Sequence, residues 1–264
     1  MNKQQTIRSH TVPQMYLKNF TNEKNQVWVY SLKDNKCFKQ NIRNVCVENK
    51  SYEFKKDEID NILEDLLSKY ESLWAPLLLN IINGQNIFSK KDIKMLLYFC
   101  IIQHFRTKQG RKKLLIAFQN DKEYSKFKNK FIANINTENA IFFKAIKSIK
   151  KLIKKHIVIE IKIYQTIREI YISDTPVLIS PLFSYIYCPL TPNSYIVLVL
   201  VPKTKLLQYQ KKKVAQKIFI KDTSFNKNSI LLFASQNCNY IIKKSEFTKE
   251  ELDFLKNLII IPLS

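Results

Sequence analysis

The chain has 264 residues, 45% of them hydrophobic and 12% aromatic, which marks a globular protein with material for one large or two small domains. Its 44 Lys and Arg against 22 Asp and Glu give a formal charge of +22, which points to an anionic partner such as nucleic acid or an acidic membrane surface, or else to solvated lysine faces. Five widely spaced cysteines with no CxxC pair argue against a disulfide scaffold and a zinc site, and favour reduced thiols in a cytoplasm.

Other features qualify the charge. Only Arg8, Arg43, Arg106, Arg111 and Arg168 are arginines, and the Lys, Ile and Asn excess is also what an AT-rich coding sequence produces. The N-terminus MNKQQTIRSH lacks the apolar core of a signal peptide. The uncharged stretch 175–202 is interrupted by five prolines, so it reads as buried strands, and no integral membrane segment is expected.

In chain order, Tyr16, Leu17 and Phe20 are spaced as a short helical apolar face with Pro13 near its first turn, which leaves His10 just ahead of a helix N-terminus. There its imidazole would meet a ligand or simply bond its own loop. QVWVYSL (26–32) alternates as a strand, Lys33 to Lys36 make a turn, and CFKQNIRNVCVE (37–48) returns, giving an antiparallel hairpin. From Asp57 the period is helical through Leu73, with Asp57, Glu58 and Asp60 in the first turn and Glu64 and Glu71 seven apart on one side.

Ser89 with Asp92 forms a capping-box pattern opening the next helix. Met95 to Ile102 is apolar all round, and such a helix is enclosed by protein. Gln103, Arg106, Thr107 and Arg111 follow along one stripe of what reads as the same helix. A guanidinium entering an interior must meet a carboxylate, a carbonyl or an anionic ligand. Glu64 and Glu71 are candidate structural partners, and a bound phosphate is the alternative.

Further helices are expected at 111–133 and 138–156. The second is basic and amphipathic: Ile141, Phe142, Ala145, Ile149, Leu152 and Ile153 form the stripe, and Lys144, Lys147, Lys150, Lys151, Lys154 and Lys155 the remainder. It would sit on phosphates or on an anionic surface, or form a solvated outer face. From Ile157 the period is two, and Glu160-x-Lys162 has the spacing of the metal-binding Glu and catalytic Lys of one large class of metal-dependent nucleases. IYISDTPVLI (170–179) gives strand, Asp174 turn and strand. Residues 185–202 continue in strands, and a second lysine cluster follows with Lys205, Lys211, Lys212, Lys213, Lys217 and Lys221. Thr248 caps a final helix with Glu250 and Glu251 in its first turn.

Three pieces in this order, H10-x-V-P-Q-x-Y-L-x-N-F20, Q103-x-x-R-T-x-x-G-R111 and I172-S-D-T-P-V177 with Pro189-Leu190 behind it, resemble a bacterial family known as the domain of unknown function number 4238. The resemblance covers nearly the whole chain and implies no activity or cofactor. It singles out His10, Tyr16, Gln103, Arg106, Arg111 and Asp174, side chains that hydrophobic packing does not call for. Converging, they would make either a buried polar network or an anion pocket in which His10 and Asp174 are the acid/base pair and Tyr16, Gln103, Arg106 and Arg111 hold the ligand.

The expectations are therefore a single α+β domain over 1–264, β-rich at 1–56, helical at 57–156 and β-rich with a terminal helix at 157–264, its hairpin and C-terminal antiparallel sheet packed on a central helical layer. For function, the first expectation is cytoplasmic nucleic-acid binding of the kind found on bacterial mobile elements or in defence, with nuclease activity as an extension and DNA or RNA held by Lys147, Lys150, Lys151, Lys154, Lys155, Lys211, Lys212 and Lys213. The alternative is an anion or protein-interaction module without catalysis. His10, Arg106 and Asp174 are expected to lie together.

Overall fold

The computed structural model describes residues 7–55, 59–119, 136–180, 183–208, 216–220, 233 and 238–258, the side chains at 150, 152, 206–208 and 216–220 excepted. The fold is α+β. Strand β1 (Arg8–His10) pairs antiparallel with β4 (Val47–Asn49), and between them lie the short helix α1 (Gln14–Leu17) and the hairpin β2 (Gln26–Ser31) and β3 (Lys36–Asn41). The hairpin is where its alternation puts it, but it is not free-standing. Strand β11 (Tyr240–Lys243) pairs antiparallel with β2, and β6 (Ile172–Ser173) with β11, giving a four-stranded sheet in the order β3-β2-β11-β6. The two ends of the chain thus share one sheet.

A second sheet has the order β10-β5-β9-β8-β7, from β5 (His156–Thr166), β7 (Leu178–Ile179), β8 (Tyr185–Thr191), β9 (Ser194–Pro202) and β10 (Gln216–Ile220). Its pairs are antiparallel except at the edge, where β10 runs parallel to β5. A bulge between Val158 and Glu160 breaks the long alternation of β5, so Ile161 and Ile163 keep the buried face while Ile159 drops out of register.

The helical layer is α2 (Ile62–Ile82), α3 (Lys90–Arg106), α4 (Lys108–Gln119) and α5 (Thr137–Lys155). Helix α2 begins at Ile62, five residues later than its acidic run suggests, because Asn61 turns into a left-handed conformation (φ 50°) and Asp60 Oδ1 takes the Ile62 N–H at 2.9 Å. Helix α3 opens on the Ser89–Asp92 capping box and α6 (Lys249–Lys256) on the Thr248–Glu251 box, both as their spacing indicates. Leu96, Leu97, Phe99, Cys100 and Ile102 of α3 are buried against α2, α5 and the inner face of the five-stranded sheet, and this makes α3 the hub of the main core. The outer residues of the expected helix 111–133 lie outside the described part beyond Gln119. Among the described residues, no helix is long and apolar enough to cross a membrane.

Candidate functional site

The stripe Gln103, Arg106, Thr107 and Arg111 does not run along one helix. Thr107 adopts an extended conformation (φ −70°, ψ 156°) that ends α3, and Arg111 belongs to the first turn of α4. The local signal for the break is Gly110: a Cβ there would stand 2.1 Å from the His104 carbonyl oxygen and 2.8 Å from Phe105 Cα, so only glycine lets the new helix fold back this closely. Thr107 Oγ1 accepts the Gly110 N–H at 3.1 Å and caps α4.

At this junction the arginines meet protein partners. Arg106 is 1% exposed; its Nη1 donates to Glu71 Oε1 at 2.7 Å, its Nη2 to the His10 carbonyl at 2.6 Å and its Nε to the Tyr52 hydroxyl at 3.1 Å. Arg111 donates to the Arg106 carbonyl at 2.5 Å, to Ser51 Oγ at 2.9 Å and to Glu48 Oε2 at 3.5 Å. Both guanidiniums lie over the Tyr52 ring, 5.7 and 5.3 Å from its centroid. The anionic partner of Arg106 is therefore a structural carboxylate, Glu71, one of the two acidic residues that the period of α2 nominates.

The remaining motif residues tie distant segments in the same way. Gln103 Nε2 donates to the Thr11 carbonyl at 3.0 Å, and Tyr16, fully buried, donates its hydroxyl to the Pro189 carbonyl at 2.7 Å. His10 Nε2 donates to the Ile42 carbonyl at 3.2 Å, and burial, followed by the nearby Arg106 charge, holds its pKa below the ordinary histidine value. Several members of the knot have no motif signal. Tyr52, Glu48 and Ser51 sit in a featureless stretch, Asn139 Nδ2 bridges the Ser51 and Glu53 carbonyls at 2.9 and 2.8 Å, and His104 Nδ1 donates to the Val177 carbonyl at 2.8 Å.

Asp174 is hydrogen-bonded outside this knot. It lies in the crossing between β6 and β7, which are in different sheets, and its carboxylate accepts from Asn239 N at 2.9 Å, Asn239 Nδ2 at 2.7 Å and Tyr240 N at 3.3 Å. Burial outweighs these donors and lifts its pKa to about 6. It shares no hydrogen bond with His10 or Arg106. Arg106 meets His10 at its backbone carbonyl, and Asp174 holds the start of β11.

Asp174 instead lines a polar cleft of about 380 Å³. It is lined by Thr11, Cys46 and Glu48, by Phe38 and Gln40 of β3, by Lys108, Gln109 and Lys112 at the start of α4, and by Asn239 and Tyr240 together with Asp174. All three resemblance segments reach this cleft: the first through Thr11, the second through Lys108 and Gln109, the third through Asp174.

The lysines predicted to hold nucleic acid fall into two groups. Lys147, Lys151, Lys154 and Lys155 are exposed on α5. Lys147 Nζ also covers the Phe143 ring at 4.1 Å. The Lys150 side chain and all of Lys211, Lys212 and Lys213 lie outside the described residues. Helix α5 runs directly into β5, whose first residue His156 pairs with Pro202, so the exposed Lys203 and Lys205 that follow β9 come to the same corner as Lys154 and Lys155. Glu160 and Lys162 pair with each other at 3.3 Å, and the described residues hold no group of three His, Cys, Asp or Glu side chains able to take a metal ion.

A family model described as a protein of unknown function (DUF4238) matches residues 8–247. No curated protein and no solved structure matches the chain.

Proposed function

The chain belongs to the DUF4238 family of proteins of unknown function, and because that membership carries no activity, we propose from the geometry that it binds nucleic-acid backbone through the lysine corner at the end of the five-stranded sheet. The observation that carries this reading is the meeting of Lys154 and Lys155 with Lys203 and Lys205, nearly fifty residues away in sequence, on one exposed corner of a chain with a formal charge of +22. Lysines gathered this way present several point charges to successive phosphates, and release of condensed counterions then drives association. Arg106 and Arg111 take no part, since their guanidiniums already hold Glu71, Ser51 and backbone carbonyls. Catalysis is outside the proposal: Glu160 is paired with Lys162, and nothing beside them in the described residues completes a metal set.

Fluorescence anisotropy with labelled single- and double-stranded DNA and RNA, titrated with salt, tests the proposal. Binding should weaken linearly on a log–log plot. The fourfold charge reversal Lys154→Glu, Lys155→Glu, Lys203→Glu and Lys205→Glu should flatten the slope by roughly 2–4, at about 0.7–0.9 for each phosphate that is no longer neutralised. No binding at about 50 mM salt, or a slope unchanged in the variant, overturns it.

A further inference from the structure

The cleft beside Asp174 has no place in the backbone-binding proposal, and its chemistry is different. It carries four charged side chains, two of each sign. The carboxylates are engaged: Asp174 by Asn239 and Tyr240, Glu48 by Ser51 at 2.6 Å and by Arg111. The cations are not. Lys108 and Lys112, one helical turn apart on α4, have no carboxylate partner among the described residues. What the cleft has to offer a ligand is therefore positive charge from the start of α4.

Phe38, 38% exposed on β3, and Tyr240 also line the space. Three amides complete it, each with one end used and one end left. Gln40 Oε1 accepts from Asn41 N at 3.1 Å and Asn44 Oδ1 from Arg8 Nη2 at 2.9 Å, leaving both NH2 groups as donors, while Asn239 Nδ2 serves Asp174 and leaves Oδ1 as an acceptor. A pair of ammonium groups, an exposed ring and a mixed donor and acceptor edge are what a phosphate, a planar heterocycle and the edge of that heterocycle need. A volume of about 380 Å³ is in the range of small-ligand pockets.

We infer that this cleft takes a nucleoside monophosphate unit, its phosphate at Lys108 and Lys112, its base against Phe38 and its base edge at Gln40, Asn44 and Asn239. The unit has two sources, a free nucleotide or the 5′-phosphorylated end of a strand. The inference stands whether or not the lysine corner binds nucleic acid, because the two sites share no residue.

Isothermal titration of the full chain with AMP, GMP, CMP and UMP, with adenosine and inorganic phosphate as part-ligands, and with 5′-phosphorylated trinucleotides is the test. At least one monophosphate or trinucleotide should bind saturably, and the double variant Lys108→Ala and Lys112→Ala should weaken it by about tenfold or more, that is by about 1.4 kcal/mol. Both lysines are exposed, so the variant should keep the melting temperature of the parent, and adenosine alone should bind it and the parent equally. Monophosphates binding as tightly as trinucleotides identify the free nucleotide as the source; trinucleotides binding about tenfold tighter with the same lysine dependence identify the strand end. If no probe binds, or if binding is the same in the double variant, the inference is wrong. The fourfold reversal at the lysine corner leaves this cleft intact, which keeps the two proposals separable.

Discussion

Arg106 Nη1 and Glu71 Oε1 are 2.7 Å apart, the arginine side chain 1% and the glutamate 28% exposed, so one end of the pair is sealed and the other touches water. With its remaining donors on the His10 carbonyl and the Tyr52 hydroxyl, Arg106 fastens α3 to α2, β1 and the segment before α2 at once. A planar fork with five donors can do this; a lysine ammonium cannot reach three directions in one plane.

Arg106→Ala should therefore act on the fold. It takes the cation from Glu71 and leaves the Tyr52 hydroxyl and the His10 carbonyl with only their 3.1 Å bond to each other. Removing one partner of a fully buried pair costs about 3–5 kcal/mol, an upper bound here because Glu71 touches water, and still a large share of the roughly 5–15 kcal/mol that holds a domain together. Urea denaturation should show the loss, and Arg106→Lys should recover only part of it. A denaturation midpoint close to that of the parent in Arg106→Ala would show that the knot is not structural.

Gly110→Ala tests the α3–α4 junction. The added methyl would sit 2.1 Å from the His104 carbonyl oxygen, which is backbone and cannot swing aside. Overpacking of this kind costs roughly 2–3 kcal/mol, and the substitution should lower the melting temperature even though alanine favours helix elsewhere. A melting temperature at or above the parent's would mean that the helices part without penalty.

These two sites show what the sequence can and cannot convey. The caps at Ser89 and Thr248 are read easily because each partner lies three residues away, and the hairpin because alternation and turn chemistry are local. Glu71 is within reach, since the period of α2 puts it on one face with Glu64. The break at Thr107 is hidden because the apolar and polar pattern continues through it, and its one signal is Gly110, in a chain with just two glycines. The pairing of β2 with β11 joins residues some two hundred positions apart and leaves no local trace. Glu48, Tyr52, Ser51 and Asn139 look like ordinary loop and helix residues until the fold gathers them around two arginines. Asp174 does lie between two strands, as its neighbours indicate, but which sheet each flanking strand joins decides its partners, and that depends on the whole topology.

Tyr16→Phe removes one hydroxyl from a fully buried ring and leaves the Pro189 carbonyl with only the weak Cys188 thiol donor at 3.4 Å. The expected loss is about 1–2 kcal/mol, the lower part of the cost of an unsatisfied buried acceptor. Denaturation of this variant, with the surrounding packing kept by the phenylalanine, separates the hydrogen bond from the ring contacts with Phe20 and Phe99. An unchanged midpoint would show that the bond contributes nothing net.

The pH dependence of stability sets His104 against Asp174. Burial, aided by the charge of Lys113 and opposed by the bond to Val177, lowers the His104 pKa to about 4. Its unfolded value is near 6.5, so the stability it contributes is present above pH 6.5 and is lost as the pH falls towards 4. Asp174 has the opposite sign, because its pKa is raised to about 6 in the folded chain against about 3.8 unfolded. Its contribution is full below pH 3.8 and is lost as the pH rises through 6. Each shift corresponds to roughly 3 kcal/mol at about 1.4 kcal/mol per pH unit, so between pH 4 and 6 the two nearly cancel. Removing either group should uncover the other. His104→Gln should make the chain gain stability as the pH falls from 6 to 4, and Asp174→Asn should make it lose stability over the same range, whatever constant offset each substitution adds. Denaturant titrations at pH 4, 5, 6 and 7 measure the slopes directly. If both variants run parallel to the parent, the two buried groups do not change protonation on folding in the way their surroundings indicate.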